Sequence, residues 1–274
     1  MPERTPAVLI TCAPPNPNGD LHLGHLAGPF LGADVLRRYL RQRGQRALYL
    51  SYTDDQSCYV RRKAEEIGRS PRQTAFAYTR RIEETLSLAG MLPDYYEHPH
   101  REAVHERLVH EHTRRLHASG ALVERELPVA WCEHCGEYRY EAYVRGRCPA
   151  CEQPTDGMYC EDCGRPHEPD GVRDGICIRC RNPLASRTIR RLVFELSRYA
   201  DQLADYYERC DWQPRLLDYC RLLLKQGLPD VPVSRQTVYG TPVPLPGWQG
   251  HILDTWYCGI FGYMAATAAY GAGG

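Results

Sequence analysis

Two hydrophobic periods divide the chain. Residues 7 to 12, AVLITC, are a short β-branched and apolar run, the mark of a buried strand. The breaker-rich loop APPNPNGD follows. From Leu21 to Arg43 apolar residues recur at Leu23, Leu26, Phe30, Leu31, Val35, Leu36 and Leu40, which is helix spacing, and Gly44 stands where a helix should stop. Pro29, inside that stretch, cannot donate to the carbonyl of His25, so a kink is expected there. Residues 47 to 52, ALYLSY, read as a second strand. Strand, helix, strand is a βαβ unit with a parallel sheet, and such sheets bind ligands beyond the carboxyl ends of their strands. The loop after Cys12 and the loop TDDQS after Tyr52 both fall at that edge. The pattern predicts further helices at about 71–90, 101–118, 189–208 and 212–227. A last strand, roughly 250 to 256, leads into IFGYMAATAAYG.

Between 122 and 186 the periodicity fades, while eight cysteines and many glycines and prolines appear. The expected organisation is therefore a first α/β half over 1–121, an inserted small module over 122–186, and a helical return with the start of a second half over 187–274.

Composition narrows the class. The 274 residues carry 34 basic and 34 acidic side chains and are 43% hydrophobic, enough for a real core and without the charge excess of a disordered chain. Neutrality removes the crude electrostatic footprint of a nucleic-acid binder but not nucleic acid itself. No apolar run reaches 18 residues and the N-terminus lacks signal-peptide architecture, so a cytoplasmic protein with no membrane partner is expected.

In that compartment, paired cysteines point to metal. Cys132/Cys135, Cys148/Cys151, Cys160/Cys163 and Cys177/Cys180 are four Cys-x-x-Cys knuckles. Two residues between thiolates let both sulfurs reach one tetrahedral ion, and two knuckles complete a four-thiolate site, so two structural zinc ions are expected. Nearby glycines (Gly136, Gly146, Gly164, Gly175) should help the turns close. The ions would fold an insert too small for its own core. Cys12, Cys58, Cys210, Cys220 and Cys258 lack such spacing and read as small buried residues.

At the head of the long helical stretch, His22 and His25 sit at i and i+3 on one face. A helix N-terminus binds anions, and imidazoles there add donors; they could equally cap or pack. A strand, then TCAPPNPNGDLHLGH, then a helix resembles the signature of class I aminoacyl-tRNA synthetases, with His-Leu-Gly-His as the first ATP motif. The insert, the element order and the distal WYCGIFGY resemble the methionyl group of that family, over most of residues 7 to 265.

The resemblance implies ATP as substrate, with Mg, and an amino acid (methionine or an analogue) as the other. The family joins the amino-acid carboxylate to the α-phosphate of ATP and expels pyrophosphate, a displacement that needs alignment and donors where charge builds up. His22 and His25 would be the catalytic donors. Asn18, Gly19 and Gly24 would complete the ATP-binding loop. Asp54 matches the carboxylate that holds the substrate ammonium, and Ala13, Asn16, Gln56, Trp256, Gly259 and Tyr263 fall at amino-acid-binding positions. It also implies nested ions, one on Cys148, Cys151, Cys160 and Cys163, the other on Cys132, Cys135, Cys177 and Cys180.

Departures from the pattern are specific. Asn16 replaces the tyrosine that usually follows the loop proline matched by Pro15. Gln56 and Ser57 replace a histidine and a glycine, while Cys258 and Gly259 replace the acid and alanine of the distal motif. Lysine occurs only at 63 and 225, so no Lys-Met-Ser-Lys-Ser-like second ATP motif exists here. The expectation is the front half of an amino-acid-activating enzyme, with tRNA a partner only if further C-terminal parts exist. Two alternatives stand beside it: a paralogue that activates a free amino acid for small-molecule biosynthesis, and an inactive binding module.

Overall fold

A computed structural model describes residues 7–99, 103–156 and 158–272. Strand β1 (Val8–Thr11) is followed by α1 (Leu23–His25), a π-helical turn over Leu26–Phe30, and α2 (Leu31–Gln42). The long helix expected from Leu21 is thus interrupted: Gly28 leaves helical geometry (ψ −107°) just before Pro29. The missing proline N–H and its ring against the preceding turn account for the break. Gly44, at φ +72°, ends the run as expected.

Strand β2 (Ala47–Tyr52) pairs in parallel with β1, Ile10 opposite Tyr49, and on its other side with β3 (Tyr95–Glu97), Leu50 opposite Tyr95. Between them run α3 (Cys58–Ile67) and α4 (Pro71–Leu88); α5 (Ala103–Ala118) follows β3. Helix α3 and strand β3 were not expected. Ser57 caps α3 and Ser70 begins α4 with a capping box to Gln73, so serine side chains separate two helices that share one polar stretch. Residues 101–102, where α5 was expected to begin, lie outside the described residues.

The second unit begins with β4 (Leu122–Cys132) and β5 (Glu137–Tyr138), then β6 (Val144–Arg147), β7 (Pro154–Thr155), β8 (Arg173–Cys177) and β9 (Ala185–Phe194). β4 and β9 form a long antiparallel ribbon, from Leu122 opposite Phe194 to Trp131 opposite Ala185. The helix expected over 189–208 is therefore a strand through Phe194 and becomes the helix α6 (Ala200–Glu208) only after a 3₁₀ turn. Ile189, Leu192 and Val193 mimic helical spacing, but the β-branched residues and the cross-strand partner win. The chain continues through α7 (Pro214–Gln226), β10 (Val231–Pro232), β11 (Ser234–Gln236), β12 (His251–Leu253) and α8 (Thr255–Ala272), so the expected last strand gives way to helix at Thr255.

The knuckles repeat one backbone turn. The residue after each second cysteine is left-handed: Gly136 (φ 65°), Glu152 (63°), Gly164 (69°) and Arg181 (65°). Each donates its N–H to the carbonyl of the first cysteine of its pair, at 2.8–3.0 Å. Glycine serves the turn at only two knuckles. Gly146 and Gly175 are strand residues instead, and a Cβ on Gly146 would lie 2.4 Å from the carbonyl oxygen of Arg173, so its glycine permits the close approach of β6 and β8.

Helix α8 lies against the sheet through a slot of small residues. Tyr52 is buried, its hydroxyl donates to the carbonyl of Gly259 at 2.5 Å, and its ring meets that of Tyr263 edge-on at 5.2 Å. A Cβ on Gly262 would lie 2.4 Å from the Tyr52 ring.

Two outcomes follow from these contacts. Gly262→Ala should force α8 off Tyr52 and destabilise the chain by about 1–3 kcal/mol, read in urea unfolding. Arg181 is exposed and left-handed, so Arg181→Gly should stabilise it by about 1 kcal/mol; an unchanged or lower midpoint would contradict the strain assigned to that turn.

Candidate active site and zinc-ligand clusters

A cavity of about 350 Å³ opens at the carboxyl edge of the parallel sheet. The loop after β1 contributes Ala13, Pro14 and Asn16, the loop after β2 contributes Asp54 and Ser57, and α8 contributes Trp256, Gly259, Ile260 and Tyr263. The two loops are tied directly, the N–H of Asp54 donating to the carbonyl of Pro15 at 3.0 Å. Of the residues expected to hold an amino acid, Ala13, Asn16, Asp54, Trp256, Gly259 and Tyr263 share this one cavity. Gln56 does not: its side chain pairs with the Thr241 hydroxyl and its carbonyl accepts from Thr255, so it braces the start of α8 from behind.

Three charged residues of this neighbourhood were missed by sequence reasoning. Arg235, on β11, is buried and pairs with Glu141 at 2.7 Å and with Asp254. Glu141 reaches the cavity wall from the cysteine-knuckle segment and accepts from the Cys58 thiol at 3.1 Å. Cys58 is thus a donor, not merely a small buried residue. Asp254 also caps α8, its Oδ1 accepting from the N–H of Trp256 at 2.8 Å. The distal motif lacks its acid at Cys258; the carboxylate stands one helical turn earlier, where the motif gave no reason to look. Burial, and then the charges of Asp55, Glu141 and Asp254, push the Asp54 carboxyl well above its usual range, with Arg235 opposing. A cation beside Asp54 would relieve that cost.

The His-Leu-Gly-His residues lie outside the cavity, at the start of α1. His22 Nδ1 accepts from the N–H of Gly24 at 3.0 Å and of His25 at 3.4 Å, while His25 Nδ1 accepts from the N–H of His22 at 3.2 Å. The rings stack at 3.8 Å. Accepting at Nδ1 requires the proton on Nε2, so capping leaves each ring with an Nε2–H donor still to use. Burial and then the neighbouring His22 hold His25 below the usual imidazole range, which keeps it a neutral donor. A Cβ on Gly24 would come within 3.0 Å of the His22 ring, so the glycine of the tetrad makes room for the cap. Asn18 and Gly19 form the turn before it, the N–H of Asn18 donating to the carbonyl of Asn16 at 2.9 Å.

The eight knuckle cysteines gather into two groups of four. Cys132, Cys135, Cys177 and Cys180 form the outer group and Cys148, Cys151, Cys160 and Cys163 the inner one, with ligand atoms within 4.8 Å of one another in each. Separations of 3.4 Å for Cys132 to Cys180 and 3.9 Å for Cys148 to Cys163 match the ~3.8 Å expected between thiolates around a tetrahedral ion with ~2.3 Å bonds. Backbone N–H groups of Cys135 and Ala150 point at the sulfurs of Cys132 and Cys148, at 3.4 Å each. The donor sets fit zinc.

The two groups differ in their surroundings. Arg139 is fully buried beside the outer group, bonded to Glu137 at 3.1 Å, with its Nε and Nη2 lacking any oxygen or nitrogen partner among the described residues. Cys135 and Cys177 are among the groups that hold its charge in place. Four thiolates on a divalent ion carry a net charge of about −2, which a buried guanidinium offsets. Arg139→Met should therefore weaken zinc at the outer group about 10-fold or more and leave the inner group unchanged, measured by chelator competition on the whole chain. Equal loss from both groups would contradict the assignment.

Residues 8–273 match the family model described as tRNA synthetases class I (M). Among curated relatives, the chain is 32% identical to the methionine–tRNA ligase of Thermomicrobium roseum, covering 97% of this chain and 45% of that one. It is 29% identical to the methionine–tRNA ligase of Pyrococcus furiosus, over 96% and 36%. The chain spans less than half the length of these relatives. Among solved structures, the methionyl-tRNA synthetase of Mycobacterium tuberculosis in complex with methionyl-adenylate superposes with a TM-score of 0.71 at 18% identity, over 95% of this chain and 46% of that one. With a parallel sheet, a histidine tetrad at its carboxyl edge and two four-cysteine groups in the insert, the chain belongs to the class I tRNA synthetase family, methionyl type.

Proposed function

We propose that this chain carries the amino-acid-activation half of a methionyl-type synthetase. ATP, with Mg, would lie against the His22/His25 face. The amino acid would occupy the cavity with its ammonium on Asp54. The observation that carries this reading is the convergence of the two sheet-edge loops and α8 on one cavity, with a capped histidine pair at the end of the first loop that has two Nε2–H donors to spare. His22 and His25 would donate to phosphate oxygens as charge moves toward pyrophosphate, while Asp54 orients the carboxylate by holding the other end of the substrate. The domain division, with an insert over 122–186 between two α/β segments, belongs to this proposal, as do the two structural zinc ions. Reduced thiols fit the cytoplasm, and no helix among the described residues is long and apolar enough to cross a membrane.

The changed lining at Asn16 and Gly259, with Cys258 in the core behind it, favours a second reading, in which a free amino acid is activated without tRNA charging. Pyrophosphate exchange without aminoacylation would select it.

The test is amino-acid-dependent exchange of pyrophosphate into ATP. His22→Ala should lower the exchange rate by about 30- to 1000-fold, the scale of ~2–4 kcal/mol for a donor acting in the transition state, with ATP affinity little changed. A normal rate with only a raised KM would contradict the role.

A further inference from the structure

We propose that the cavity selects an α-amino acid whose side chain is an aliphatic stem ending in a hydrogen-bond donor, foremost an amino group, rather than a thioether. This rests on the reading of the cavity as the amino-acid site. Three observations carry it.

The first is an orphan. Asn16 lines the cavity, and its Oδ1 is shut off from solvent with no hydrogen-bond partner among the described residues. A buried amide oxygen without a donor is costly, and a polar atom left so in a native site is completed by water, an ion or a ligand. A thioether sulfur donates nothing. The second is charge. Asp54 and Glu141 stand on the cavity wall and Asp254 behind it, with Asp55 beside Asp54, facing the buried cation Arg235. The carboxylates outnumber that guanidinium, so the wall is acidic. The α-ammonium offsets part of the excess, and a second cationic group on the substrate offsets more of it. Burial first, and then the charges of Asp55, Glu141 and Asp254, raise the Asp54 carboxyl, and the second of these causes agrees with an excess of acid there. The third is shape. Tyr52, Trp256, Ile260 and Tyr263 give the cavity apolar walls that suit a methylene stem, with Asn16 and Glu141 among the polar groups beside them.

An acidic side chain is excluded by the same charges. A neutral donor such as a hydroxyl satisfies Asn16 but does not offset the excess of acid, and falls between.

Equilibrium dialysis of the purified, zinc-replete chain against labelled ornithine, lysine, homoserine, norleucine and methionine tests the order. Ornithine or lysine should bind at least 10-fold tighter than norleucine and methionine, with homoserine between, on the scale of one buried hydrogen bond made or lost. In Asn16→Leu the preference should shrink to within about 3-fold, through weaker binding of the amines and not tighter folding, with circular dichroism as the check. Methionine or norleucine binding tightest to the unaltered chain would overturn the inference while leaving the amino-acid site intact. No binding of any of the five to the unaltered chain would overturn both. The panel on the unaltered chain decides the order even if Asn16→Leu fails to fold.

Discussion

One buried guanidinium joins three separate stretches of this chain at a single point. Arg235 comes from a short strand following the second helical segment. Its partners come from elsewhere: Glu141 from the cysteine-knuckle segment, and Asp254 from the start of α8. Each partner has a second task. Glu141 takes the Cys58 thiol at the head of α3, and Asp254 caps α8. Removing the guanidinium would strand two buried carboxylates, a loss of about 3–5 kcal/mol where a buried pair is broken. Replacing the whole cluster with apolar side chains need cost little by the same reasoning. The cluster is better understood as fixing position than as supplying net stability: it registers insert, helix and sheet-edge loop around one cavity.

That arrangement explains what the sequence disclosed and what it withheld. Local signals were legible. ALYLSY is β2 to the residue, Gly44 stops its helix, and Pro29 breaks the one it interrupts. The cysteine spacing was legible because two residues between thiolates is itself a geometric instruction. What could not be read was pairing at long range. β9 looked helical because Ile189, Leu192 and Val193 are spaced three and one apart, and only the strand 60-odd residues earlier shows otherwise. Arg235, Glu141 and Asp254 are ordinary charged residues in sequence and become a site only by burial together. Gln56, by contrast, occupied a promising motif position and turned away, because Thr241 offered it a partner behind the cavity.

The histidine pair shows why competing readings of a motif need not exclude each other. Capping and phosphate donation looked like alternatives. In the structure each imidazole caps through Nδ1 and keeps Nε2–H, so capping is what fixes the tautomer and aim that donation would need. Gly24 belongs to the same device, since any side chain there would push on the His22 ring. The tetrad is a self-supporting turn before it is anything else.

The insert has a consequence for the cavity that distance along the chain conceals. Glu141 lies between Cys135, in the outer group, and Cys148, in the inner one. The segment Glu141–Tyr143 is a single 3₁₀ turn with Glu141 at φ 31°, a strained start for a non-glycine residue. Its position is held from both sides, by knuckles that need an ion to close and by Arg235. If both groups carry zinc, the ions stabilise more than their own loops: through Glu141 they set the charge of a cavity built on the opposite unit. A structural metal would then act on the chemistry of the site by deciding where one carboxylate stands.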